Sequence, residues 1–136
     1  MKKKEQQPQG TALVELAIVL TLLALLTFGV MEYGWVFFRM QQVINTARGG
    51  ARYSVLPDST NLGVEQTVES MMTAWGMGAS GYTVTTSSAD ITLLESGEMV
   101  TVTVQVPYDN VELLGMSLFP VPAILRGSAT MAKEGP

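Results

Sequence analysis

Gly10-Thr11-Ala12-Leu13-Val14-Glu15-Leu16-Ala17 opens an apolar stretch that runs to Phe38 and carries charge only at Glu15 and Glu32. A short polar leader with Lys2, Lys3 and Lys4 precedes it. A carboxylate inside a membrane-length helix costs roughly 2.5 to 3.5 kcal/mol if it reaches the bilayer centre, so Glu15 calls for a function. Residues 16–31 hold no charge and span roughly 24 Å as a helix, short of a hydrocarbon core of about 30 Å. Extending the span to residues 11–38 makes it long enough. Glu15 and Glu32 then lie near opposite faces, each needing a polar partner or access to the interface. Tyr33, Trp35, Phe37 and Phe38 follow Glu32 in the manner of an aromatic belt.

A cleaved secretory signal also begins with basic residues and an apolar run, but its hydrophobic core is shorter and ends in a small-residue cleavage site. Here the run ends in Met31-Glu32-Tyr33-Gly34-Trp35-Val36-Phe37-Phe38, so a retained anchor is expected. Lys2, Lys3 and Lys4 face Arg39, Arg48 and Arg52 across the span, and the short basic leader favours a cytoplasmic N-terminus with the rest outside the inner membrane.

The chain has 136 residues and a net charge of -4. Less a leader and a helix of roughly 40 residues, about 80 remain for a small folded domain, too few for a large enzyme core. Cysteine is absent, which leaves the redox compartment open. Histidine is absent too, which removes the commonest general base, the Ser-His and Cys-His pairs and most zinc sites. From Leu56 onward only Arg126 and Lys133 oppose Asp58, Glu65, Glu69, Asp90, Glu95, Glu98, Asp109, Glu112 and Glu134. Such a surface repels phosphate, so nucleic acid is not an expected partner.

Beyond Trp35 the pattern becomes amphipathic. Val36, Met40, Val43, Ala47 and Ala51 fall at helical spacing, with Arg39, Gln42, Arg48 and Arg52 on a polar side. One helix is expected to leave the membrane and enter the domain, weakened or bent at Gly49-Gly50 and stopped before Pro57. Arg48 and Arg52 read as a solvated stripe, with a subunit contact as the alternative.

After the turn residues 57–61, Val64, Val68, Met71, Met72 and Trp75 mark one face of a second helix, stopped by Gly76 and Gly78. It is expected to pack on a sheet, its Met and Trp stripe being core rather than a ligand pocket. Strand signals occur at 81–86, 90–94 and 99–106, with Glu95-Ser96-Gly97-Glu98 as a hairpin turn between the last two. Alternation of Val100, Val102, Val104 and Val106 with Thr101, Thr103 and Gln105 gives the third one apolar face. Residues 108–115 read as a short turn or helix, Pro120 and Pro122 as a loop, and 124–132 as a final strand. The expected class is α+β: a long N-terminal transmembrane helix continuing into a small periplasmic domain, with a helix packed on a three- to four-stranded antiparallel sheet. The divisions are residues 1–10 as leader, 11–55 as transmembrane and extended helix, and 56–136 as the soluble domain.

Chemistry is sparse. Glu65 and Glu69 lie one helical turn apart, opposite the apolar stripe, and read as a solvated face rather than an acid and base. Asp109, Asn110 and Glu112 offer oxygen ligands but lack calcium-loop spacing. Ser87, Ser88 and Ser96 have no base, and Gly76, Gly78 and Gly81 follow a helix rather than a strand, against a nucleotide loop. No catalytic residue, cofactor or metal is assigned, and no enzymatic activity is expected.

The glycine followed by an apolar segment with glutamate at its fifth position resembles the processing site of type IV prepilins. Together with Phe28-Gly29-Val30-Met31-Glu32-Tyr33-Gly34, Phe38 and Ala47-Arg48-Gly49-Gly50-Ala51-Arg52-Tyr53, it resembles the TadE family of tight-adherence (Flp) pilus pseudopilins over residues 10–55. That resemblance implies cleavage between Gly10 and Thr11 by a prepilin peptidase, with the anchor retained. It implies that the Glu15 carboxylate pairs with the N-terminal ammonium of Thr11 in a neighbouring subunit. Small side chains at Ala12, Ala17, Thr21 and Ala24 would allow close helix approach. The implied partners are the peptidase, other pilin or pseudopilin subunits, an inner-membrane pilus assembly platform and the lipid bilayer. The long soluble part points to a minor pilin rather than filament bulk. A type II secretion pseudopilin shares the outline, and a single-pass membrane-anchored protein unrelated to pili is the further alternative.

Overall fold

The computed structural model describes residues 9–115 and 119–135. Helix α1, Gln9–Ser54, is followed by α2, Asn61–Ala74, and by three strands, β1 Thr83–Thr86, β2 Met99–Pro107 and β3 Ile124–Ala132. The class is α+β. The strands form one antiparallel sheet in the order β1-β2-β3, with Thr85 opposite Thr103 and Val102 opposite Ala129.

Valine alternation in β2 gives the sheet its two faces. Val100, Val102, Val104 and Val106 are fully buried and, with Leu125 of β3, meet α1. On the other face Thr101 and Thr130 share a hydroxyl hydrogen bond of 2.8 Å, and Thr103, itself buried, shares one of 3.1 Å with Ser128, so polar side chains are tied across strands. The second half of α1 lies over β2 and β3 through Val36, Val43, Ala47 and Ala51. Each buried valine withdraws enough apolar surface to stabilise the fold by roughly 1.5–3 kcal/mol.

The helix runs through Gly49-Gly50, where glycine serves close packing. A Cβ on Gly50 would meet Val68 at 3.0 Å and Val102 at 3.1 Å, and one on Gly49 would strike the Met71 sulfur. The expected packing of α2 on the sheet is present: Val64, Val68 and Met72 share core clusters with the β2 valines, and α2 touches β1 as well as lying along α1. Val64, Val68 and Met72 are its buried face, whereas Trp75, grouped with them by spacing, is the C-cap and 40% exposed. Thr60 caps the start by accepting from Gly63 N at 3.1 Å, and Gly76 ends the helix with φ 70°.

The strand expected at 90–94 is instead a 3-10 turn, Ile91–Leu93. The Asp90 carboxylate accepts from Thr92 N at 2.9 Å and Thr92 Oγ1 at 2.6 Å, which lowers its pKa. Asn61 in turn binds Ala89 O and Ile91 N. Side chains thus take the backbone groups a strand would have offered to a neighbour. Ile91 itself is core, which is why the run looked strand-like. Residues 95–98 are accordingly not a hairpin between strands; they lead into β2, with Gly97 N donating to Lys133 O and Lys133 N to Glu98 O.

Gly127 is the tightest point between sheet and helix. A Cβ there would lie 2.7 Å from Val43 O and 2.8 Å from the Ile44 backbone. Gly127→Ala is therefore expected to destabilise by about 1–3 kcal/mol through overpacking, read as a lower Tm in detergent. Gly34→Ala, where a Cβ meets nothing within 4 Å, is expected to leave Tm unchanged or raised. Equal Tm values for the two variants contradict this packing.

Candidate functional site

The first two-thirds of α1 contains the residues singled out in the sequence. From Leu13 to Val30 its large apolar side chains are 44 to 68% exposed. Leaving so many leucines and valines in water forgoes roughly 1.5–3 kcal/mol for each, so this surface is built for lipid or for other helices. Among the described residues α1 is the one helix long and apolar enough to cross a membrane. Residues 1–8 of the leader lie outside the described residues.

Gly10, Thr11, Glu15, Ala17 and Thr21 are exposed on this rod and Ala24 is half-buried. A Cβ on Gly10 would touch nothing within 4 Å. At 3.6 residues per turn, Thr11 and Glu15 share a face, while Ala17, Thr21 and Ala24 share another about 130° round, with Ala12 off both. The rod therefore presents two stripes, one polar and one of small side chains. Thr21 Oγ1 donates to Ala17 O at 2.8 Å, so its hydroxyl is satisfied within the helix. Arg48 and Arg52 are exposed.

The domain meets the rod at residues 29–39. Phe119 lies against Gly29, where a Cβ would be 3.0 Å from its ring. Tyr33 OH donates to Pro120 O at 2.9 Å, and Trp35 Nε1 to Val111 O at 2.7 Å. Tyr33 and Trp35, expected as part of an aromatic belt, are thus tied to the domain, whereas Phe37 and Phe38 are exposed. Arg39 sits 4.4 Å above the Trp35 ring and donates to Gln42 Oε1 and Trp75 O, both at 3.0 Å. Burial lowers its pKa.

Between these contacts Glu32 is 3% exposed, and its Oε1 accepts a hydrogen bond from Tyr108 OH. Its Oε2 is buried with no hydrogen-bond partner among the described residues. The sequence required a polar partner for Glu32 but did not identify Tyr108, which lies 76 positions away and is placed by the β2 register. A second buried polar contact also went unread: Lys133 Nζ donates to Ser59 Oγ at 2.8 Å and Ile91 O at 3.4 Å, pinning the end of β3 to the loop after α1.

Elsewhere, Glu65 and Glu69 are exposed beside Tyr82, whose pKa is raised by burial and by the Glu69 charge. Asn110 Nδ2 donates to Ser80 O at 2.9 Å. Among the described residues no three acidic side chains converge as metal ligands would.

Burial first, and then the hydrogen bond to Glu32, raise the Tyr108 pKa above the ordinary 10.0. The folded chain holds this proton where the unfolded chain releases it, so stability from this hydroxyl is complete below pH 10 and falls as pH rises beyond it. Tyr108→Phe removes the donor to a buried carboxylate and is expected to lower stability by about 1–3 kcal/mol at neutral pH, while abolishing this share of the alkaline decline. Thermal unfolding across pH measures both, and an unchanged Tm at neutral pH contradicts the contact.

In comparison with known proteins, the family described as TadE-like protein matches residues 10–52. The matched segment ends within α1. No curated protein and no solved structure matches the chain.

Proposed function

We propose that this chain, with its TadE-like helix over residues 10–52, is a minor pilin or pseudopilin of a tight-adherence pilus assembly system. The observation that carries the reading is the conjunction of that match with a bare apolar rod on which Glu15 is exposed four residues from Thr11. A prepilin peptidase cuts after Gly10, and Thr11 becomes the N-terminus of a protein that keeps its anchor. Exposure of Gly10 with open space around its Cα supports access to that bond.

Once cut, the Thr11 ammonium and Glu15 carboxylate lie one turn apart, near the cytoplasmic end of the span. Pairing between neighbouring subunits, the amine of one with the carboxylate of the next, relieves the desolvation of both charges in low dielectric. Ala17, Thr21 and Ala24, on their separate stripe, admit a second helix at close range. The partners are the peptidase, other pilin subunits, the inner-membrane assembly platform and the bilayer. The domain contributes shape and contacts rather than catalysis.

Two variants test the reading in cells carrying the whole pilus system. Gly10→Val is expected to accumulate as an uncleaved, longer species, and identical mobility to wild type overturns the processing step. Glu15→Leu is expected to remain cleaved and membrane-inserted while co-purification with other pilin subunits falls at least tenfold, equivalent to about 1.4 kcal/mol of lost pairing. Undiminished co-purification overturns the role of Glu15 in assembly.

A further inference from the structure

The connection from β2 to β3 returns to α1 at a level where the rod is still apolar. Residues 113–125 contain no charge, and Phe119 within them lies against Gly29. Gly29 is 18 residues beyond Thr11, a rise of about 27 Å, so with Thr11 at one edge of a hydrocarbon core of about 30 Å it lies inside the other edge. The first charged residue above it, Glu32, is buried and accepts a hydrogen bond from Tyr108, so its charge is not part of the exposed surface here.

We propose that residues 119–120 enter the outer leaflet beside α1, forming a second lipid contact that seats the domain directly on the membrane. The inference rests on reading α1 as a membrane anchor and goes beyond it. Backbone chemistry supports this placement. Chain entering an apolar phase must leave few polar groups unsatisfied. Pro120 and Pro122 have no N–H to satisfy, and the Pro120 carbonyl already accepts from Tyr33. Exposed Leu113 and Ile124, at the ends of the charge-free run, extend the apolar surface toward the interface. The partner is the bilayer itself, because the contact continues the exposed apolar surface of α1 around Phe28 and Val30 without a charged break.

The absence of cysteine makes site-specific labelling direct. A nitroxide on Pro120→Cys, in full-length protein reconstituted into phosphatidylethanolamine and phosphatidylglycerol vesicles, is tested for collision with lipid-soluble oxygen and with a water-soluble nickel chelate. Leu20→Cys marks the anchor and Glu65→Cys the water-facing domain. The expected oxygen-to-nickel ratio at position 120 is several-fold above that at 65 and approaches that at 20. Phe119→Cys repeats the reading should loss of the proline disturb the backbone. A water-like ratio at 120 and 119 with a lipid-like one at 20 overturns the proposal and leaves the anchor standing. A water-like ratio at 20 overturns both, and closure of 120 and 119 to both reagents means that protein covers the tip, which overturns the lipid contact.

Discussion

The buried hydrogen bond from Tyr108 to Glu32 marks the level on α1 at which one environment gives way to another. Toward the N-terminus the helix shows leucine, valine and isoleucine on every side; beyond it, one side is sealed beneath the sheet. A carboxylate at such a level would ordinarily turn toward water. Here the domain supplies a phenol, and Phe119, Tyr33 and Trp35 close the surrounding seam. The contacts that shield Glu32 are also those that hold the loop after β2 against the rod.

Farther up, small residues set the spacing. Gly50 lets α1 approach Val68 and Val102 together, and Gly127 lets the backbone of β3 come within van der Waals range of the helix backbone. The two helices and the sheet close on one another because neither position carries a side chain to hold them apart. The outer face of the sheet, with its threonine and serine pairs, needs no cover. A domain this small thus obtains a core by using half of its long apolar helix as a structural element.

Periodicity made much of this legible. The bounds of β3 fall where its sequence pattern placed them, β2 differs by one residue, and the buried face of α2 follows Val64, Val68 and Met72. Residues 90–94 misled because Ile91 is core in a turn whose backbone is held by Asp90 and Asn61, a competition that apolar spacing does not register. Glu32 announced a need for a partner, but choosing Tyr108 required knowing how β2 lies on α1. Gly49 and Gly50 read as weakness in a helix considered alone, and as contact surface once α2 is beside it. Of the candidate site residues, spacing alone separates Thr11 and Glu15 from the small-residue stripe; that separation is a matter of helix geometry, and both stripes lie on the same N-terminal part of α1.

The central claim is that a short basic leader is removed while the apolar rod remains joined to its domain. Intact mass and N-terminal sequence of the native protein, extracted with detergent from membranes of cells that carry the full assembly system, test it most directly. The account expects a polypeptide that begins at Thr11, is recovered from the membrane fraction and includes all of α1 beyond that residue. A chain still beginning at Met1, or one released into the soluble fraction without residues 11–31, contradicts it.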